Sequence, residues 1–115
     1  MLFVAAILLT LGGAGGLFLA ILRFRGGNPP LPLAYVHGSA AAAGVIAVIA
    51  ATILQPDPLL IAAIVSAAIG APFGVLMLLA HRRQKLIPIS MLVPHALLEV
   101  TAILLTWVAA VSKMS

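Results

Sequence analysis

The sequence predicts an all-α integral membrane protein with four transmembrane helices in one bundle, and three observations support this. Hydrophobic residues make up 64% of the 115 and charged residues 7%, with a mean hydropathy of +1.31, a composition that would precipitate as a soluble domain. Four apolar runs, at roughly residues 1–22, 32–54, 58–80 and 89–112, are each long enough to cross a hydrocarbon core of about 30 Å. Short polar or turn-forming stretches, FRGGNPP, QPDP and HRRQK, separate them. Because backbone polar groups must be satisfied within lipid, the runs are expected to be helices.

A single domain over 1–115 is expected, built from two halves at about 1–57 and 59–115. The stretch RGGNPPLPLAYVH, Arg25 to His37, shares its landmarks with RQKLIPISMLVPH, Arg83 to His95. In each, a proline precedes the histidine by seven residues and an arginine precedes it by twelve. The same offset carries Gly12 to Gly70 and Gly16 to Gly74. This pattern predicts two tandem two-helix repeats related by a pseudo-two-fold axis along the membrane normal.

The first helix opens with MLFVAAILL, with no basic residue before the apolar run, so a removable signal peptide is not expected. Further along it carries Gly12, Gly13, Gly15 and Gly16, which strip side chains from the helix surface and allow a neighbouring backbone or a flat ligand to come close. It ends at Arg23, Phe24 and Arg25, and GGNPP makes the turn. Helix 2 is expected to start at Pro32, a favoured first position. His37 then lies about 7–8 Å inside it, followed by the small-residue run GSAAAAG ending at Gly44.

Helix 3 contains GAPFG, where Pro72 is expected to kink the helix and free a carbonyl. Helix 4 is expected from Pro88 or Ser90, although Pro94 disfavours helix at Val93 and can delay the start. Loops 1 and 3 lie on one side and hold Arg23, Arg25, Arg82, Arg83 and Lys85, five of the six basic residues. By the positive-inside rule that side is cytoplasmic, which puts both termini on the non-cytoplasmic side of an inner (plasma) membrane. The pI near 10.9 thus reports topology. Nucleic acid is not an expected partner, since no basic surface remains once these residues are assigned to loops.

Zero cysteines exclude disulfides, thiolate catalysis and cysteine-ligated metals. Any cofactor must be held by His, Met or oxygen ligands. If the halves are equivalent, His37 and His95 reach similar depths on helices 2 and 4, and histidines on facing helices of a bundle form a cofactor site. Two opposed imidazoles with Gly12, Gly16, Gly44, Gly70 and Gly74 around them suit a haem b with one axial nitrogen from each side. Arg25 and Arg83 at the same face can pair with its propionates, or simply anchor the topology.

The arrangement of His37 and His95 on a four-helix chain resembles that of the four-helix membrane cytochromes b, in which histidine pairs on neighbouring helices clamp haem near one membrane face. The resemblance covers helix count and histidine pair only. It implies one-electron transfer between a membrane quinol and a partner. Glu99, four residues after His95 and the only acidic residue inside a span, is then a candidate proton acceptor or simply a carboxyl hydrogen-bonded across the bundle. His81 reads as an interfacial residue or substitute ligand, Met77 and Met91 as filler or ligands, and Tyr35 and Trp107 as interfacial or packing aromatics.

Two alternatives stay open. One is an accessory or anchor subunit of a larger membrane complex, with the small residues as interfaces to other subunits. The other is a homo-oligomeric transporter coupled through Glu99. The small multidrug-resistance transporters are similar in length and helix number, but their membrane glutamate lies in helix 1, where this chain has none.

Overall fold

The computed structural model describes residues 1–114, which form four helices joined by short turns: α1 (Leu2–Phe24), α2 (Leu31–Leu54), α3 (Pro58–Arg82) and α4 (Ile89–Ser112). All four are long and apolar enough to cross a membrane. They make an elongated bundle of 47 × 20 × 18 Å. Closest packing occurs within the sequential pairs α1–α2 and α3–α4; α1 also lines α4, and α2 lines α3. That order leaves α2 diagonally across the bundle from α4.

The helix ends follow local chemistry. Pro30 and Pro88 occupy the positions just before α2 and α4 in extended conformation, where a missing N–H costs nothing. Asp57 caps α3 by accepting a hydrogen bond from the Leu59 N–H at 2.8 Å, satisfying one of the free amides of the first turn. The α1–α2 turn runs through Gly26 and Gly27 at φ +119° and +74°, conformations that glycine adopts without a Cβ penalty. At the corresponding place after α3, Gln84 takes φ +57°.

Pro72 and Pro94 both lie inside helices. Pro94 therefore does not delay α4, which begins at Ile89. The proline removes one amide from the ladder, a loss that packed apolar helices tolerate when neighbouring groups satisfy the freed carbonyl.

The core sits at the end of the bundle that holds the termini and the 55–57 turn. Ala5, Leu9, Val48, Ala51, Leu60 and Ala109 form one buried cluster, and Ala63, Ala67 and Ala102 a second. So many alanines at the contacts let the backbones approach closely, and between apolar helices close packing replaces the hydrophobic effect as the main attraction. Thr106 is fully buried there, its hydroxyl donating to the Ala102 carbonyl at 2.8 Å. Trp107 stands edge-on to Phe3 and donates its indole N–H to the Thr10 hydroxyl at 2.7 Å. Lys113 meets Asp57 at 3.5 Å, tying the end of α4 to the start of α3.

Toward the opposite end the packing thins. Between residues 13 and 43 only Pro29 is buried, and between 71 and 101 only Met77 and Ile87. Polar contacts join the two turns instead. The Asn28 side-chain amide donates to the Lys85 carbonyl at 2.6 Å while its oxygen accepts from the Ile87 N–H at 2.9 Å. The Arg23 Nε donates to the Ile87 carbonyl at 2.8 Å. One asparagine thus fixes the two turns side by side.

Candidate functional site

The histidines lie where the packed half gives way to the open half. His37 stands on the second turn of α2 and His95 on the second turn of α4. Although these helices are diagonal partners, the two rings meet across the interior with centroids 6.3 Å apart and planes at 89°. Both are partly buried.

Each ring is held by the preceding helix of its own pair. The Nδ1 of His37 lies 2.7 Å from the Gly12 carbonyl on α1, and the Nδ1 of His95 lies 2.9 Å from the Gly70 carbonyl on α3. A carbonyl can only accept, so in both rings Nδ1 must carry the proton. In the neutral tautomer this leaves Nε2 with a free lone pair.

The glycines make these contacts possible. A Cβ at Gly16 would fall 2.8 Å from the His37 Cε1, and one at Gly74 would fall 2.8 Å from the His95 Cε1. Both distances are too short for carbon atoms, so any side chain larger than glycine would push the imidazole out of place. The room the glycines create is filled by the histidine rings themselves. Gly12 has a second contact: a Cβ there would sit 3.0 Å from the Ala41 backbone nitrogen, so α1 and α2 touch backbone to backbone at this level. Gly44 belongs to the core instead, because its hydrogen faces Leu9, whose backbone nitrogen would be 2.9 Å from an added Cβ.

Glu99 lies one turn beyond His95 on α4, partly buried. Its Oε1 packs against Gly70, where an added Cβ would be 2.6 Å away. The neighbouring Leu98 carbonyl accepts from the Ser66 hydroxyl at 2.6 Å, but no protein donor reaches the Glu99 carboxyl among the described residues. On the α1–α2 side, Ala41 occupies the place against Gly12 that Glu99 occupies against Gly70.

The other candidates are spread along the chain. Arg25 and Arg83 follow α1 and α3 directly as their C-caps, both exposed, at the end of the bundle nearer the histidines. His81 is in the last turn of α3. Met77 is buried and Met91 partly so. Tyr35 is exposed, and Trp107 is a packing residue of the opposite end.

Among the described residues no group of three or more His, Asp or Glu side chains gathers in a way that would hold a metal ion. A site at this level therefore has two imidazole donors. Sequence reasoning did not assign Gly16 and Gly74 to the histidine rings, nor foresee Asn28 as the bridge between the turns. The glycines at positions matching each histidine were the available signal; nothing in the sequence distinguished Asn28 from an ordinary turn residue. No protein-family model matches this chain, and no curated protein or solved structure matches it either.

Proposed function

We propose that the chain is a small membrane b-type cytochrome in which His37 and His95 would hold one haem b, a group that would pass single electrons between a membrane quinol and a partner protein. The supporting observation is the histidine pair: two rings meeting edge-on across the bundle, each with its Nδ1–H bound to a backbone carbonyl. A metal-ligating histidine characteristically donates its other ring N–H in this way, which fixes the tautomer and orients the ligating nitrogen.

The spacing agrees with this use. Two imidazoles that would share one metal ion must lie close together, and these have centroids 6.3 Å apart. Few side chains between 13–43 and 71–101 are buried, so a planar group held at this end would displace less packed core than at the other. Bound there, haem would supply a reversible one-electron couple.

The chain's own residues then do four things. Gly12 and Gly70 hold the imidazole N–H groups; Gly16 and Gly74 leave the rings their space. Arg25 and Arg83, at the same end, provide cations for propionate groups. The apolar end keeps the helices together without contribution from the site. Residues 1–57 and 59–115 are, in this reading, duplicated halves about a pseudo-two-fold axis along the membrane normal. Matched contacts favour it, because His37 with Gly12 and Gly16 repeats as His95 with Gly70 and Gly74. In this reading the histidine end lies on the cytoplasmic side of the inner (plasma) membrane, with both termini opposite, an orientation that the basic turns favour by the positive-inside rule.

An absorption spectrum of the detergent-purified protein, taken before and after dithionite from cells supplied with haem precursor, tests the proposal. A sharp reduced α band of low-spin b haem at near-stoichiometric pigment is expected, and His37→Ala and His95→Ala should each abolish it. A colourless protein would overturn the reading and favour an accessory subunit, to be sought through co-purifying partners.

A further inference from the structure

We infer that Glu99 is a tuning residue, whose carboxylate makes the α3–α4 side of the histidine site more negative than the α1–α2 side and favours the oxidised form of the metal held there. This rests on the bis-histidine reading above. The argument comes from a single break in an otherwise matched arrangement. Gly12 and Gly70 play the same part, each offering its carbonyl to a histidine Nδ1–H. Where a Cβ would stand on each glycine the match fails: Gly12 abuts Ala41, and Gly70 abuts the Glu99 carboxyl.

Glu99 and the His95 N–H therefore meet the same residue, Gly70. Among the described residues the carboxyl has no hydrogen-bond donor, and the arginines and the lysine of the turns lie beyond the start of α4, about 15 Å along that helix from Glu99. Of these, Arg23 already commits its Nε to the Ile87 carbonyl. Where it is ionised, as in alkaline medium, a carboxylate without a partner in an apolar bundle keeps a long-range effect, because little solvent screens it. Reduction adds one negative charge to the site, and Glu99 opposes that addition. Ala41 contributes nothing comparable, so the asymmetry belongs to one half.

Reduction potentials of the detergent-purified holoprotein in alkaline buffer, where a carboxyl carries its charge, test this on the parent chain and on Glu99→Gln, Ala41→Glu and the double variant. Glu99→Gln keeps the shape and removes the charge. It should shift the reduction equilibrium about tenfold toward the reduced form, a rise of about 59 mV for one electron. Ala41→Glu should move the potential the other way, and the double variant should return close to the parent, because the charge has only changed sides. Should Ala41→Glu fail to assemble against Gly12, Glu99→Gln alone decides. A pigmented Glu99→Gln protein with the parent's potential overturns the inference and leaves the cytochrome reading standing, even where its thermal stability has fallen, since a purely structural carboxyl would change stability and not potential. A colourless parent chain overturns both.

Discussion

The two ends of this bundle are held together by different forces. At the end with the termini, Leu60 and Thr106 are completely buried and alanines bring the helices into contact. Toward the other end, where the histidines lie, few side chains are buried, and hydrogen bonds from Asn28, Arg23, His37 and His95 to backbone carbonyls do the positioning. The contrast teaches a division of labour. Apolar packing at one end secures four helices that short turns already hold in order, so the other end can carry polar groups that would be costly in a packed core.

Substitutions can break that comparison at either end. Leu60→Ala should have the largest effect on folding, destabilising the bundle by about 2–4 kcal/mol through the cavity it leaves, as read from denaturant unfolding in detergent micelles. Pigment bound per folded chain should hardly change. If Leu60→Ala lost pigment while remaining folded, the two ends would not be independent.

Gly16→Ala and Gly74→Ala probe the other end. The added methyl collides with an imidazole in each case, so both variants should lose most of their pigment while unfolding moves by only about 1–2 kcal/mol, a cost of overpacking in a loosely packed region. Equal pigment loss in the two variants would support equivalence of the halves. Loss in one alone would show that one histidine is the dominant ligand.

Asn28→Ala removes a donor and an acceptor at once and frees the turns from one another. A loss of about 1–2 kcal/mol is expected, with faster amide exchange at Ile87 as the local sign. Smallest of the four is Trp107→Phe, which deletes the bond to Thr10 and should cost about 0.6 kcal/mol, as single interhelical hydrogen bonds in membrane bundles do. A larger loss would mean that the ring packing against Phe3 matters more than the hydrogen bond.

Much of the architecture was legible in the chain. Apolar runs of spanning length located all four helices, and the observed limits differ from the expected ones by two residues at most, as at Phe24 and Arg82. Pro32 and Pro88 marked the starts of α2 and α4 to within one residue, because a proline fits only where no amide is needed. Pro94 misled in the same terms: its local preference against helix at Val93 was outweighed by the continuous apolar surface on both sides of it, which keeps α4 helical from Ile89.

The candidate site was legible in part. His37 and His95 stood out as ionisable groups within apolar helices, at equivalent places beside equivalent glycines. What each glycine touches was not. Gly16 and Gly44 look alike on paper, yet one seats an imidazole and the other backs onto Leu9, because helix rotation and pairing decide which neighbour each glycine faces. Glu99 could be seen as an isolated carboxyl, but its position against Gly70, matching Ala41 against Gly12, emerges only when α3 and α4 are packed.

The sequence by itself determined the number, length and order of the helices, since those follow from local hydropathy and from the backbone's need for internal hydrogen bonds in an apolar medium. Only the tertiary structure decided that α2 and α4 lie on a diagonal with their histidines in contact across it, and that the core gathers at the opposite end. Those outcomes depend on how small side chains let one helix surface settle on another, and such interlocking is a property of pairs of surfaces, which no single run of residues encodes.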